Sequence, residues 1–135
     1  GDELMKKIQD RIATLKIGPG SDPTSDMGPV VNAAARDKIV GYIAEGKTEG
    51  ATLLEDGRDL RVLDYENGFF VGPTLFDDVK TNMTIYKEEI FGPVLINLRV
   101  DTLDEALEIV LPFADPLLEG TATGRWIPDD DRWSG

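Results

Sequence analysis

Apolar residues near the start of the chain recur at helical spacing. Leu4, Met5, Ile8, Ile12 and Leu15 share one face, and Lys6, Lys7, Gln9, Asp10 and Arg11 fill much of the other. The pattern predicts an amphipathic helix that stops by Gly18-Pro19-Gly20, since glycine suits a left-handed C-terminal position and proline lacks the amide donor. A loop rich in Gly, Pro, Ser and Asp runs from Gly18 to Pro29. Asn32 is the expected N-cap of a second helix, with Ala35, Ile39, Val40 and Ile43 as its apolar stripe. Arg36, Asp37, Lys38 and Glu45 face outward, and Gly46 or Gly50 ends the helix.

After Gly50 the pattern turns to that of strands. Ala51 to Leu54 reads as a short strand and Glu55-Asp56-Gly57-Arg58 as a turn, from which Leu60 to Leu63 is expected to pair back as a hairpin. Tyr65-Glu66-Asn67-Gly68 forms another turn, and Thr74-Leu75-Phe76 is a β-prone run after Gly72-Pro73. Pro93 to Val100 carries Val94, Leu95, Ile96 and Leu98, which suits a sheet covered on both faces. Thr102, with Glu105 three residues later, makes a capping box that opens a helix through Val110. A strand followed directly by a capped helix marks a crossover unit, so the expected fold class is α/β: an open, mostly parallel sheet with flanking helices. Beyond Leu111 the periodicity is lost. Pro112, Pro116, Pro128 and the run Asp129-Asp130-Asp131 predict an irregular tail over 111–135.

Charge and composition narrow the chemistry. The 26 acidic residues outweigh 14 basic ones, and a net charge of -12 repels phosphate backbones and anionic lipid surfaces, so neither nucleic acid nor membrane is an expected partner. No apolar run approaches the roughly 20 residues of a spanning helix. The chain has neither cysteine nor histidine. That removes the thiolate nucleophile, the commonest general base and the commonest metal ligands, so no catalytic residue and no metal site is assigned.

Three stretches, in order, resemble the aldehyde dehydrogenase superfamily, and its methylmalonate-semialdehyde branch in particular. The first is Lys16-Ile17-Gly18-Pro19-Gly20-Ser21-Asp22-Pro23 leading to Met27-Gly28-Pro29-Val30. The second runs from Tyr65-Glu66-Asn67-Gly68 through Phe69-Phe70-Val71-Gly72-Pro73-Thr74. The third and most specific is Lys87-Glu88-Glu89-Ile90-Phe91-Gly92-Pro93-Val94. The resemblance covers about Met5 to Val110 and implies a partial catalytic domain of this type over 1–110, followed by a divergent tail over 111–135. Within that tail Pro112-Phe113-Ala114 and Gly120-Thr121-Ala122 resemble further family elements, but the residues between them do not fit smoothly.

The resemblance also implies roles. Glu89 would accept hydrogen bonds from the nicotinamide ribose hydroxyls of NAD, for which an acceptor-only carboxylate is suited. Phe91 would pack beside the nicotinamide, offering a flat apolar face. Taken alone, Glu88-Glu89 is a solvated charge pair, Phe91 a core residue and Gly92-Pro93 a turn. In the family a cysteine thiolate attacks a small aldehyde, and the acyl group passes to water or coenzyme A. That cysteine would fall before Gly1, and the base-bearing region and the dinucleotide domain lie upstream of it. The expectation is therefore a piece of an NAD-dependent, methylmalonate-semialdehyde-like dehydrogenase that is inactive alone. Its expected partner is the missing part of the enzyme or a second copy of itself; the alternative is a stand-alone acidic interaction module. The expected location is the cytoplasm, or the mitochondrial matrix in a eukaryote.

Overall fold

A computed structural model describes residues 1–118, with side chains placed through Leu111. The chain divides into two compact units, Gly1–Arg99 and Val100–Gly135. In the first unit, helix α1 spans Asp2–Ile12 and buries Met5, as its apolar stripe requires. The loop beyond it is held by a side-chain and a backbone acceptor: Lys16 N–H donates to Asp26 Oδ2 at 2.9 Å, and Gly18 N–H to the Met27 carbonyl at 3.0 Å. Helix α2 spans Ala33–Thr48 and opens on Asn32, whose side chain accepts from Ala35 N–H at 2.8 Å. Gly50, at φ +98°, takes the left-handed backbone that turns the chain out of the helix.

The sheet has three strands in the order β1 (Thr52–Glu55), β2 (Thr74–Asp77), β3 (Val94–Ile96). β1 and β2 are antiparallel with a bulge between Leu53 and Glu55, and β2 and β3 are parallel, so the α/β fold carries a mixed sheet rather than a mostly parallel one. β2 is the centre and all four of its residues are buried. Their partners come from both sides: Phe76 joins Ile39, Ile43, Ala51, Val71, Val79, Met83 and Ile85 in the main core. A one-turn helix, α3 (Thr84–Lys87), docks on α2 where Thr84 N–H donates to Glu49 Oε2 at 2.8 Å and Thr84 Oγ1 to Glu45 Oε1 at 3.0 Å.

Two expectations are corrected. Leu60 to Leu63 is not a hairpin arm: β1 takes β2 as its partner instead, and Leu63 is 81% exposed. Pairing with the wholly buried β2 removes more apolar surface from water than pairing with a half-exposed segment. The intervening chain is folded away where Gly57 and Gly72 cross: Gly72 N–H donates to the Gly57 carbonyl at 2.8 Å, and a side chain at Gly57 would run into the Gly72 carbonyl. The expected strand from Pro93 to Val100 is also shorter, at Val94–Ile96.

In the second unit, helix α4 spans Leu103–Leu118. Thr102 Oγ1 accepts from Glu105 N–H at 3.2 Å, and Glu105 reaches back to Asp101 N–H at 2.9 Å, so the capping box forms with its return bond one residue earlier. The helix passes Pro112 and Pro116 instead of giving way to an irregular tail at Leu111. Each proline withdraws one donor from the ladder, which weakens the helix without forbidding it. The other features expected of the tail, among them Gly120-Thr121-Ala122 and the acidic run, lie outside the described residues.

Candidate functional site

Glu89 and Phe91 sit on an irregular segment between α3 and β3 that is fixed at both ends. Glu88 N–H closes α3 on the Thr84 carbonyl at 2.9 Å, and the Pro93 carbonyl accepts from Thr74 N–H of β2 at 2.8 Å. Between these anchors the backbone makes two tight turns, Gly92 N–H to the Ile90 carbonyl at 2.9 Å and Val94 N–H to the Gly92 carbonyl at 2.8 Å. Gly92 permits the segment to lie directly on α2, because a Cβ there would stand 2.5 Å from Ile39 Cδ1. Ile90 packs against the core.

Ile90 is half-buried, and Glu89 and Phe91 on either side of it turn outward. Glu89 is exposed, and the Phe91 ring is 81% exposed. Phe91 is therefore not the core residue that its type alone suggests. Both line a shallow cavity of about 60 Å³ whose floor is α2, through Ala35, Lys38, Ile39 and Tyr42. That is about the volume of two waters, against roughly 300 Å³ or more for an enclosed ligand site. The cavity sets an acceptor and an aromatic face side by side and is open on the far side. Those two groups suit a ribose diol and a flat apolar ring.

Lys38 lines the same cavity, although its position on α2 reads from sequence as merely outward-facing. Its Nζ lies 5.6 Å from the centroid of the Tyr42 ring, one helical turn on. The Lys-Tyr spacing of four was the signal available; what it could not show is that the 89–91 segment folds down beside it.

The sharpest electrostatic feature of the unit lies at the end of β2. Asp77 is 3% exposed, and its carboxylate accepts from Arg99 Nε at 3.0 Å and Nη2 at 2.5 Å, Asn97 Nδ2 at 2.7 Å and Asp78 N–H at 2.8 Å. The Arg99 hydrogen bonds hold its carboxyl well below the usual carboxylate range, against the opposing effect of burial. Arg99 also reaches Asp2 Oδ1 at 2.7 Å, tying α1 to the sheet. Every group here is satisfied by its neighbours, which marks a structural clasp. Among the described residues no cluster of three or more carboxylates or other ligating side chains could hold a metal.

The aldehyde dehydrogenase family profile matches residues 1–110. This chain belongs to the aldehyde dehydrogenase family. Malonate-semialdehyde dehydrogenase of Pseudomonas aeruginosa is 52% identical over 109 residues, covering 81% of this chain and 22% of that protein. The mitochondrial acylating methylmalonate-semialdehyde/malonate-semialdehyde dehydrogenase of Bos taurus is 47% identical, covering 87% and 22%. Among solved structures, methylmalonate-semialdehyde dehydrogenase of Oceanimonas doudoroffii superposes with a TM-score of 0.79 at 45% identity, covering 82% of this chain and 22% of that one. Mycobacterium tuberculosis aldehyde dehydrogenase complexed with NAD+ superposes with a TM-score of 0.74 at 42% identity, covering 80% and 22%. The aldehyde dehydrogenase chain thus spans about a fifth of the length of these relatives. No helix among its described residues is long and apolar enough to cross a membrane.

Proposed function

We propose that this chain supplies one wall of the nicotinamide pocket of a methylmalonate-semialdehyde-like, coenzyme A-acylating aldehyde dehydrogenase, and that it turns over no aldehyde alone. The observation that carries the reading is the exposure of Phe91 at 81%, one residue from Glu89, with Ile90 between them packed against the core. Leaving a phenyl ring in water is unfavourable unless something covers it. NAD, when bound, accepts the hydride in this family. Glu89 would hold the ribose and Phe91 limit the ring's travel, while the thiolate must come from outside this cysteine-free chain.

The remainder of a catalytic domain is the partner best suited to this wall, with a small aldehyde as the substrate of the whole. Leu95, 49% exposed on the edge strand β3, extends the same need for cover and favours self-association when that remainder is absent. The location would follow the relatives: the matrix where the source is eukaryotic, the cytoplasm otherwise.

A chimera tests this. Residues 1–110 replace their counterpart in the Pseudomonas aeruginosa relative, and NAD reduction is followed with malonate semialdehyde. The chimera is expected to be active, with Glu89→Gln raising KM for NAD about tenfold, the loss of roughly 1.4 kcal/mol of binding. An active chimera indifferent to both Glu89→Gln and Phe91→Ala refutes the assignment.

A further inference from the structure

Away from Glu89, the segment 58–66 forms the wall between two larger cavities of the first unit. One, of about 330 Å³, is lined by Arg36, Arg58, Arg61 and Tyr65 among others; the second, of about 490 Å³, by Lys16, Arg61, Leu63 and Tyr65 among others. Arg61, Val62 and Tyr65 belong to both, so Arg61 stands at the junction. The wall is held in place. Gly57 N–H donates to Thr74 Oγ1 at 3.0 Å where the wall begins, and Tyr65 packs edge-on against Phe70 with centroids 6.5 Å apart where it ends.

The three guanidinium groups are not equally occupied. Arg58 directs Nε and Nη2 to Asp56, and Arg36 directs Nε and Nη2 to Asp37; each keeps Nη1 unused. Arg61 forms no ion pair among the described residues and directs only Nη1, to the neighbouring Leu60 carbonyl, which leaves Nε and Nη2. Asp37 and Glu66 also line the cavity. The local excess of positive charge is therefore small, and any anion would be held by directed N–H donors. The net charge of -12 opposes diffuse attraction of anions to this surface, so binding must come from these directed donors.

We propose that this cavity is a binding site for a phosphoryl group, with Arg61 as its principal ligand and Arg36 and Arg58 flanking. A guanidinium presents paired donors in a plane, the geometry that a phosphate accepts bidentately. The cavity's volume is at the lower end of that of ligand sites, ample for a phosphoryl group and part of the molecule that carries it. The adjoining cavity, with Val62, Leu63 and Tyr65 as its apolar side, gives a larger phosphorylated ligand somewhere to place an aromatic or aliphatic part. This inference is independent of the nicotinamide reading.

Calorimetric titration of the 135-residue chain with inorganic pyrophosphate, and separately with ADP, tests it. Saturable binding is expected that weakens as salt is raised, falls at least tenfold in Arg61→Gln, and is unchanged in Arg11→Gln, a charge loss of the same size outside both cavities. Circular dichroism of Arg61→Gln checks that its fold is kept. ADP binding more tightly than pyrophosphate upholds the site and assigns the second cavity to the base, while equal affinities uphold the site for phosphate alone. Absence of saturable binding, binding of adenosine as tight as ADP, or equal losses in the two arginine variants overturns the proposal.

Discussion

Replacing Asp77 by asparagine removes one negative charge from the clasp at the end of β2 and leaves its shape nearly unchanged. The variant loses the charge-assisted character of the bonds from Arg99 Nε and Nη2, at 3.0 and 2.5 Å, while an amide can still accept from Asn97 Nδ2 or Asp78 N–H. A hydrogen bond to a charged group contributes about 1.5–3 kcal/mol. Two considerations pull the sum down: the Arg99 side chain is 37% exposed, so solvent screens the pair, and it keeps Asp2 at 2.7 Å. A loss of about 2 kcal/mol at neutral pH is expected, read by urea unfolding followed by circular dichroism. The pH dependence has a definite sign. The folded-state pKa of Asp77 is depressed, so its contribution is present above the unfolded value near 3.9 and is lost as pH falls towards the folded value. Asp22, held at about 2 by Thr24 and Lys16, and Asp56, lowered by Arg58, add acid sensitivity of their own. The difference between wild type and Asp77→Asn isolates this one carboxylate: it should be constant from pH 7 to 5 and close progressively below pH 4. A difference under about 0.5 kcal/mol at pH 7, or one that widens in acid, would refute the reasoning.

Two further substitutions probe local structure. Asn32→Ala should cost about 1 kcal/mol by leaving the Ala35 amide without its cap, with the loss seen as fraying of the first turn of α2 in amide exchange. Gly57→Ala places a methyl group against the Gly72 carbonyl, a backbone atom that cannot swing aside, and should cost about 3 kcal/mol in the same urea assay; a loss below 1 kcal/mol would mean that the crossing is loose.

Much of the helical structure was legible because its causes are local. The Asn32 cap and the Thr102 box each depend on residues within a few positions, and each forms, whereas of the stripe expected for α1 only Met5 is buried and Leu4 stays 56% exposed. The membership of the family was equally legible, since runs such as Lys87 to Val94 identify themselves without coordinates. The two prolines of α4 predict a break that does not occur, because a breaker's cost is local and its compensation is not legible in sequence. Leu60 to Leu63 lies next to β1 in sequence but not in the sheet, where β2 takes that place. Phe91, as a residue type, points to a core, and its 81% exposure overturns that expectation.

By itself, then, the amino-acid order determined where α2 and α4 begin, that Ile39 and Ile43 face inward from α2, and to which family the chain belongs, all matters carried by short stretches of sequence. Only the tertiary structure decided that β1 pairs with β2, that Gly57 and Gly72 cross, and that the buried carboxylate is Asp77 while Glu89 stays in water. Those choices turn on partners far apart in sequence, such as Asp77 and Arg99 at a separation of 22. Strand pairing and charge burial are competitions among distant segments for the same surface, and the outcome is fixed by how much each contact removes from water.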